Sequence, residues 1–101
     1  NQETVLGGDH KGFSGYPNFN TPSDMANSLA SLGFDVVNGS NNHSLDMGTD
    51  GLINSLAYWA EIEDDVLFTG VFKSQEERDT IPVIEREDVK ISFLSYTYGT
   101  N

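Results

Sequence analysis

The sequence predicts an α/β fold, because helix-like and strand-like segments alternate along most of the chain. Two amphipathic helices are separated by the short apolar run at residues 34–37, and a second apolar run at residues 66–72 follows the second helix. A helix between two strands favours parallel pairing of those strands. Residues 81–86 and 89–96 predict a hairpin, which we expect to add an antiparallel edge to the same sheet.

The first predicted element is a long loop at residues 7–21, which is rich in glycine, asparagine and proline. A loop of this length is usually either functional or disordered. Its aromatic residues Phe13, Tyr16 and Phe19 argue against disorder, because disordered segments contain few aromatic side chains.

A helix is predicted to start at Thr21, which can cap it, with Pro22 at the first helical position and Asp24 near the positive end of the dipole. The spacing of three apolar residues predicts one buried stripe, and a glycine ends the helix. These residues are Met25, Leu29, Leu32 and Gly33. Residues 34–37 then predict a buried strand.

The second helix is predicted to begin near Thr49 or Asp50, with Trp59 assigned to the core. The inward-facing set is Leu52, Ile53, Leu56, Trp59, Ala60 and Ile62. The acidic run at residues 61–65 closes the helix as either a solvated turn or a cation site, and the turn is the favoured interpretation. Ser74 opens a short helical turn with a capping-box start, and Glu87 and Asp88 join the two hairpin strands.

Composition excludes several classes of function. The 101 residues include 16 acidic and five basic ones, for a formal net charge of -11, so binding to nucleic acid or to an anionic membrane surface is disfavoured. Without cysteine the chain has no disulfide, thiolate nucleophile or thiolate metal site. No apolar run is long enough for a membrane span, and no signal peptide is visible. We expect residues 1–101 to form a single domain or an internal fragment of a larger one.

The polar run at residues 41–48 carries the densest chemistry in the chain. It follows the first predicted strand and reads Asn-Asn-His-Ser-Leu-Asp-Met-Gly. Open α/β sheets bind their ligands at the carboxyl ends of strands, and a core has few partners for so many polar groups. The alternative interpretation is a polar loop whose side chains cap the next helix.

Several motifs in this order resemble the bacterial capsule-synthesis protein A (CapA) family, which is linked to poly-γ-glutamate biosynthesis. The motifs are Asn1-Gln2-Glu3-Thr4, residues 15–22, residues 33–37, residues 41–48, Gly51-Leu52 and the ending at residues 89–101 with its Tyr-Thr-x-Gly-x-Asn turn. The resemblance spans nearly the whole chain. Its most specific part is Asn-Asn-His-Ser-Leu-Asp.

The resemblance implies a similarity to calcineurin-type metallophosphoesterases, with a four-layer α/β/β/α sandwich and a two-metal site. In that scheme Asn42 and His43 match an Asn-His pair that supplies a metal-ligating amide oxygen and a histidine near the leaving group. Glu3, beside Asn1, matches a second metal contact, and Asp46 would orient His43. The implied metal ligands are Glu3, Asn42 and His43, the implied catalytic residues are His43 and Asp46, and the metals would be two Mn, Mg, Zn or Fe ions.

The resemblance also sets expectations about the parent protein. Further metal-binding motifs of the family would lie outside residues 1–101, so we expect this chain alone to be inactive. The parent would be anchored in the bacterial membrane, with this domain on the extracellular face, serving capsule synthesis or export and poly-γ-glutamate. The alternative is a non-catalytic scaffold or polymer-binding subunit. Gly8-Asp9-His10 mimics a phosphoesterase signature, but it lies between the family motifs and is a weaker ligand candidate.

Overall fold

The computed structural model describes every residue from Asn1 to Asn101 and confirms a small mixed α/β fold. Its elements are a 3₁₀ turn at Asp9–Lys11, α1 at Asp24–Ser31, β1 at Val36–Asn38, α2 at Gly48–Ala60, β2 at Leu67–Thr69, α3 at Gln75–Asp79, β3 at Val83–Arg86 and β4 at Val89–Ser92. The strands β1 and β2 pair in parallel, with Val37 opposite Phe68. The predicted parallel pairing across α2 is therefore confirmed.

The predicted antiparallel edge on this sheet is wrong. β3 and β4 form a two-stranded sheet of their own, in which Ile84 lies opposite Ile91. The two strands of a hairpin satisfy their inner hydrogen bonds by pairing with each other, so the strand pattern does not specify a third strand. The turn lies at Glu87 and Asp88, as predicted, and an ion pair of 3.0 Å between Arg86 and Asp35 links the hairpin to the residue before β1.

The core lies between α1, α2 and the parallel strands. Five buried residues form it: Leu6, Ala26, Val37, Trp59 and Val66. Trp59 is 2% exposed, as predicted for a core residue, and its ring stacks on Phe68 with the centroids 4.8 Å apart. Burial of this apolar surface is the main force that holds the two helices against the strands.

The predicted apolar stripe of α1 is wrong in part. Leu32 is 74% exposed and Met25 is 38% exposed, whereas Ala26 is buried and Leu29 packs against the core. Small side chains allow a helix to approach its neighbour closely, and α1 contacts the core through Ala26 and Ala30. The hydrophobic spacing alone had predicted that the larger residues Met25 and Leu32 would face the core.

The start of α1 also differs from the prediction. Ser23, rather than Thr21, is the N-terminal cap residue, and its own side chain makes no capping bond. The carboxylate of Asp9, which lies on the 3₁₀ turn, caps the helix instead. It accepts hydrogen bonds from the Ser23 amide at 3.0 Å and from the Ser23 hydroxyl at 3.1 Å. A carboxylate at this position also complements the helix dipole.

The helix α2 begins at Gly48, one residue before the predicted start, and ends at Ala60. Ile53 is 56% exposed and Ala60 is exposed, so the prediction that both face inward is wrong. The acidic segment at residues 61–65 forms an exposed turn in which only Ile62 is partly buried, which confirms the solvated-turn interpretation. None of the helices is long and apolar enough to cross a membrane.

The segment at residues 1–8 has no regular secondary structure, yet it crosses the middle of the molecule. Val5 and Leu6 are buried, and the Val5 carbonyl accepts a hydrogen bond of 3.0 Å from the Thr21 amide. A side chain at Gly7 would collide with Met47, since an added Cβ would lie 2.6 Å from its Cγ. Glycine therefore allows this segment to lie against the start of α2.

Candidate functional site

The turns at residues 41–47 present His43 at the carboxyl end of β1. His43 Nδ1 lies 2.7 Å from Asp46 Oδ2, and both side chains are almost completely buried, with 7% and 1% of their surfaces exposed. The Asp46 amide donates to the His43 carbonyl within the same turn, so the three-residue spacing brings the two side chains together. An ionised Asp46 favours the tautomer in which Nδ1 carries the proton and Nε2 remains free.

Phe19, in the long loop, holds both members of this pair. Its amide donates a 2.7 Å hydrogen bond to Asp46 Oδ2, the same oxygen that contacts His43. Its ring meets the His43 imidazole edge to face, with the centroids 4.7 Å apart and the planes at 72°. The long loop is therefore part of the site, which its aromatic content suggested, although the contact itself was not predicted.

Glu3 lies on the side of the His43 imidazole that carries Nε2. Its Oε1 lies 3.9 Å from His43 Nε2, which is too long for a hydrogen bond. The Glu3 side chain is 59% exposed, so it lies at the mouth of the site rather than beneath it. The structure thus brings together two of the predicted site residues that are separated by forty positions in the chain.

The two asparagines before His43 have different environments. Asn42 is exposed, and its carbonyl accepts a 2.8 Å hydrogen bond from the amide of Asn101. The segment with the predicted Tyr-Thr-x-Gly-x-Asn turn therefore returns to the site loop. Asn41 is partly buried, accepts a hydrogen bond from the His43 amide and donates one to the Gln2 carbonyl, both at 2.9 Å.

Asp9 and His10 do not join this group. Asp9 caps α1 through Ser23, and His10 is exposed on the 3₁₀ turn. Gly8, the first residue of that signature, has a φ of 119° and lies against the His10 ring. The resemblance to a phosphoesterase signature is explained here by a capping carboxylate next to a glycine turn.

Glu3, Asn42 and His43 are the candidate ligands of a divalent cation. A carboxylate, an amide oxygen and an imidazole whose other nitrogen is held by a carboxylate are suitable ligands for such an ion. The 3.9 Å between Glu3 Oε1 and His43 Nε2 is within the span of two ligands of one ion, since each bond is about 2.1 Å long. No group of three or more His, Cys, Asp or Glu side chains surrounds a common point, so the pair Glu3 and His43 could supply only part of a metal's ligand set.

Comparison with families of known proteins agrees with the motifs around this site. The model of the family described as "Bacterial capsule synthesis protein PGA_cap" matches residues 1–101. The chain belongs to this family. Comparison with curated proteins and with solved structures gave no match.

Membership of the PGA_cap family confirms the resemblance that the sequence motifs indicated, and it connects the chain with bacterial capsule synthesis. Within this PGA_cap chain, the predicted pair His43 and Asp46 is in direct contact, and Glu3 lies next to them. Sequence reasoning missed Phe19 and the bridging role of Asn41. Both belong to motifs of the family resemblance, so the signal was present, but their partners lie far away in the sequence.

Proposed function

We propose that this PGA_cap chain contributes to a metal-dependent hydrolase site that cleaves a phosphoester or a related bond during capsule synthesis. The observation that carries the proposal is the buried His43–Asp46 pair with Nε2 on the side of Glu3. Burial and a fixed tautomer are what a histidine needs if it is to ligate a metal or transfer a proton at one defined atom.

Each residue has a distinct part in this proposal. Glu3 and Asn42 would supply oxygen ligands to a divalent metal, and His43 would supply its Nε2. Asp46 keeps the proton on Nδ1 and stabilises the imidazole if it becomes charged. When bound, the metal would act as a Lewis acid on the substrate oxygen. The resemblance to metallophosphoesterases supports a second metal, with the four-layer sandwich completed by further residues.

The proposal extends to the setting of the reaction. The family supports a role at the bacterial cell surface, with the capsule synthesis or export machinery as partner. Poly-γ-glutamate, the polymer that the resemblance implies, is itself an anion. A chain with a net charge of -11 should repel such a polymer unless divalent cations bridge the two. Cations would then serve both the site and the contact with the polymer.

A non-catalytic scaffold or polymer-binding subunit is the second candidate. The observation in its favour is the small number of ligands, because no three His, Cys, Asp or Glu side chains converge. A phosphoesterase-like fold does not require catalysis. Degraded metal-binding motifs in the flanking sequence of the parent would favour this alternative, and intact ones would favour the hydrolase.

The hydrolase proposal is tested with His43→Ala and Asp46→Asn. Hydrolysis of an alkyl phosphodiester by the intact parent protein with Mn²⁺ should fall by about two to four orders of magnitude in His43→Ala, because the alkoxide leaving group needs a proton donor. The loss in Asp46→Asn should be smaller, at about 10–100-fold, because Asp46 acts through the imidazole.

The matched control is Asp64→Asn, which removes one negative charge from the exposed turn after α2 and should leave the rate unchanged. Circular dichroism of each variant shows whether the fold is intact. Equal rates for the unchanged protein and a folded His43→Ala variant would contradict the hydrolase and leave the scaffold as the better account.

A further inference from the structure

No hydrogen bond holds the Glu3 carboxylate in the site. Its side chain is 59% exposed and accepts no hydrogen bond, and its one ion-pair contact is with His43 Nε2 at 3.9 Å. Its position therefore depends on the backbone that carries it. Since an unrestrained side chain at the surface samples several rotamers, that backbone decides whether Glu3 can act together with His43.

The backbone on either side of Glu3 is held at defined points. The Gln2 amide donates a 2.7 Å hydrogen bond to the carbonyl of Asn38, the last residue of β1. The Gln2 carbonyl accepts a 2.9 Å hydrogen bond from Asn41 Nδ2. On the other side, the Thr4 hydroxyl accepts a 2.5 Å hydrogen bond from Thr21. Of these contacts, only the one from Asn41 comes from the loop that carries His43.

Asn41 contacts both halves of the site with one amide group. Its Oδ1 accepts the His43 amide at 2.9 Å, which forms a local turn, and its Nδ2 donates to Gln2 across 39 positions of the sequence. A planar amide fixes the direction of its donor relative to its acceptor. The placement of the His43 loop and that of the Glu3 segment are consequently linked through one rigid group.

We infer that Asn41 is a positioning residue, which holds the Glu3 carboxylate at the distance from His43 that a shared cation requires. This inference rests on the proposed function as far as the cation is concerned. The mechanical link between Gln2 and the His43 loop is independent of it. Asn41 itself does not contact the cation, and its effect is transmitted through the backbone of Gln2.

The variant Asn41→Asp separates the contact of Oδ1 with His43 from the contacts of Nδ2, which are the bond to Gln2 and a longer one of 3.4 Å to the Gly39 carbonyl. A carboxylate still accepts the His43 amide, so the local turn is retained, but it cannot donate to the Gln2 carbonyl and repels it instead. The matched control is Asn27→Asp, which makes the same chemical change at an exposed position on α1. The control measures the effect of one added negative charge on cation binding.

The first measurement is amide hydrogen exchange. In Asn41→Asp the Gln2 amide should exchange about three- to tenfold faster, which corresponds to the loss of one net hydrogen bond, and the His43 amide should keep its rate. Unchanged exchange at Gln2 would overturn the inference. Equal acceleration at Gln2 and His43 would also overturn it, because it would indicate general loosening of the loop.

The second measurement is calorimetric titration of the intact parent protein with Mn²⁺. Asn41→Asp should weaken binding about tenfold, although its added charge by itself favours a cation. Glu3→Gln should weaken binding in the unchanged protein but have less than about a twofold effect in the Asn41→Asp background, because Glu3 is already displaced there. Additive losses would overturn the inference. Absence of defined Mn²⁺ binding in the unchanged protein would instead overturn the proposed metal site, and the exchange data would still decide the link between Asn41 and Gln2.

Discussion

At the scale of single residues, His43 has one available ring nitrogen for two candidate roles. Nδ1 is committed to Asp46 at 2.7 Å, so a metal ligand and a proton donor would both use Nε2. One nitrogen cannot perform both tasks at the same time, because a metal bond occupies the lone pair that would carry the proton. Two substrates distinguish the roles. A proton donor matters less for a p-nitrophenolate leaving group than for an alkoxide, whereas loss of a ligand affects both substrates alike.

A second residue-scale feature connects the long loop to α2. Lys11 Nζ lies 2.6 Å from Asp50 Oδ2, and this hydrogen bond, together with the lysine charge, holds the pKa of Asp50 below its ordinary value. A carboxyl group with a lowered pKa in the folded state stabilises the fold at any pH above the ordinary carboxyl range. That contribution is lost as the pH falls below about 4, through the lowered pKa.

The expected result for Lys11→Gln is a rise of the Asp50 pKa to the ordinary range, because both the hydrogen bond from an ammonium group and its charge are removed. A carboxyl ¹³C titration by NMR measures this directly. The matched control is Lys73→Gln, which breaks the exposed pair with Glu77 and should leave Asp50 unchanged. A lowered Asp50 pKa that persists in Lys11→Gln would show that another group is its cause.

At the scale of elements, the hairpin of β3 and β4 contains no buried residue. Val83 and Val89 are more than half exposed, and the turn residues Glu87 and Asp88 have φ values of 51° and 65°. Two consecutive residues with positive φ form the tight turn that suits the twist of a two-residue hairpin. Such a turn favours asparagine followed by glycine, so Glu87 and Asp88 hold it at a conformational cost.

Replacing the turn by Glu87→Asn together with Asp88→Gly should therefore stabilise the hairpin by about 1 kcal/mol, because both new residues adopt positive φ readily. Amide exchange within β3 and β4 should slow down, and the rate at β1 and β2 should not change. The control Glu87→Gln with Asp88→Ala removes the same two charges while keeping a Cβ at both positions, and it should accelerate exchange. Slower exchange in the alanine variant would mean that charge, and not backbone conformation, limits the turn.

The short helix α3 illustrates local capping at the same scale. Ser74 Oγ accepts the Glu77 amide at 3.1 Å, as the capping-box pattern predicts. The Glu77 carboxylate accepts a 3.2 Å hydrogen bond from the amide of Lys73, the residue before the cap. The pattern thus predicted the position of the helix, and the exact partner of the glutamate depended on how the chain enters it.

At the scale of the whole molecule, the main feature is the large net negative charge. Sixteen acidic residues against five basic ones give a net charge of -11, so the folded chain repels itself at low ionic strength. Salt screens such repulsion over a distance of about 10 Å at 0.1 M. Divalent cations will gather around this surface whether or not a defined site exists, and binding by itself is no evidence for the site.

We therefore expect the thermal midpoint of unfolding to rise as NaCl is increased from 10 mM to 150 mM, because screening relieves the repulsion. At 150 mM NaCl, Mn²⁺ should bind weakly to this chain, with no turnover of a phosphoester, because the local ligands are too few. Calorimetry and circular dichroism supply both measurements. Tight binding of one or two ions with hydrolysis would indicate a complete site within these residues, and a falling midpoint would contradict the role of repulsion.

Sequence alone determined the features that depend on neighbouring residues. The order of helices and strands and the hairpin turn follow from hydrophobic period and turn chemistry, and the parallel pairing follows from the helix between β1 and β2. The contact between His43 and Asp46 was implied by the family resemblance. The helices, the strands and the hairpin turn each form within a short stretch of chain, so their geometry is already present in the local pattern.

Tertiary structure alone decided which distant segments meet. It set the Phe19 amide on Asp46, linked Asn41 to Gln2 and kept the hairpin apart from the parallel sheet. It also set the 3.9 Å between Glu3 and His43, two residues that the family resemblance had already assigned to one site. The contacts of Gln2 and Glu3 depend on burial of Val5 and Leu6, which fixes where residues 1–8 cross the molecule. No periodicity encodes that path, because the segment has no regular structure and is held by packing and by hydrogen bonds to side chains far away in the sequence.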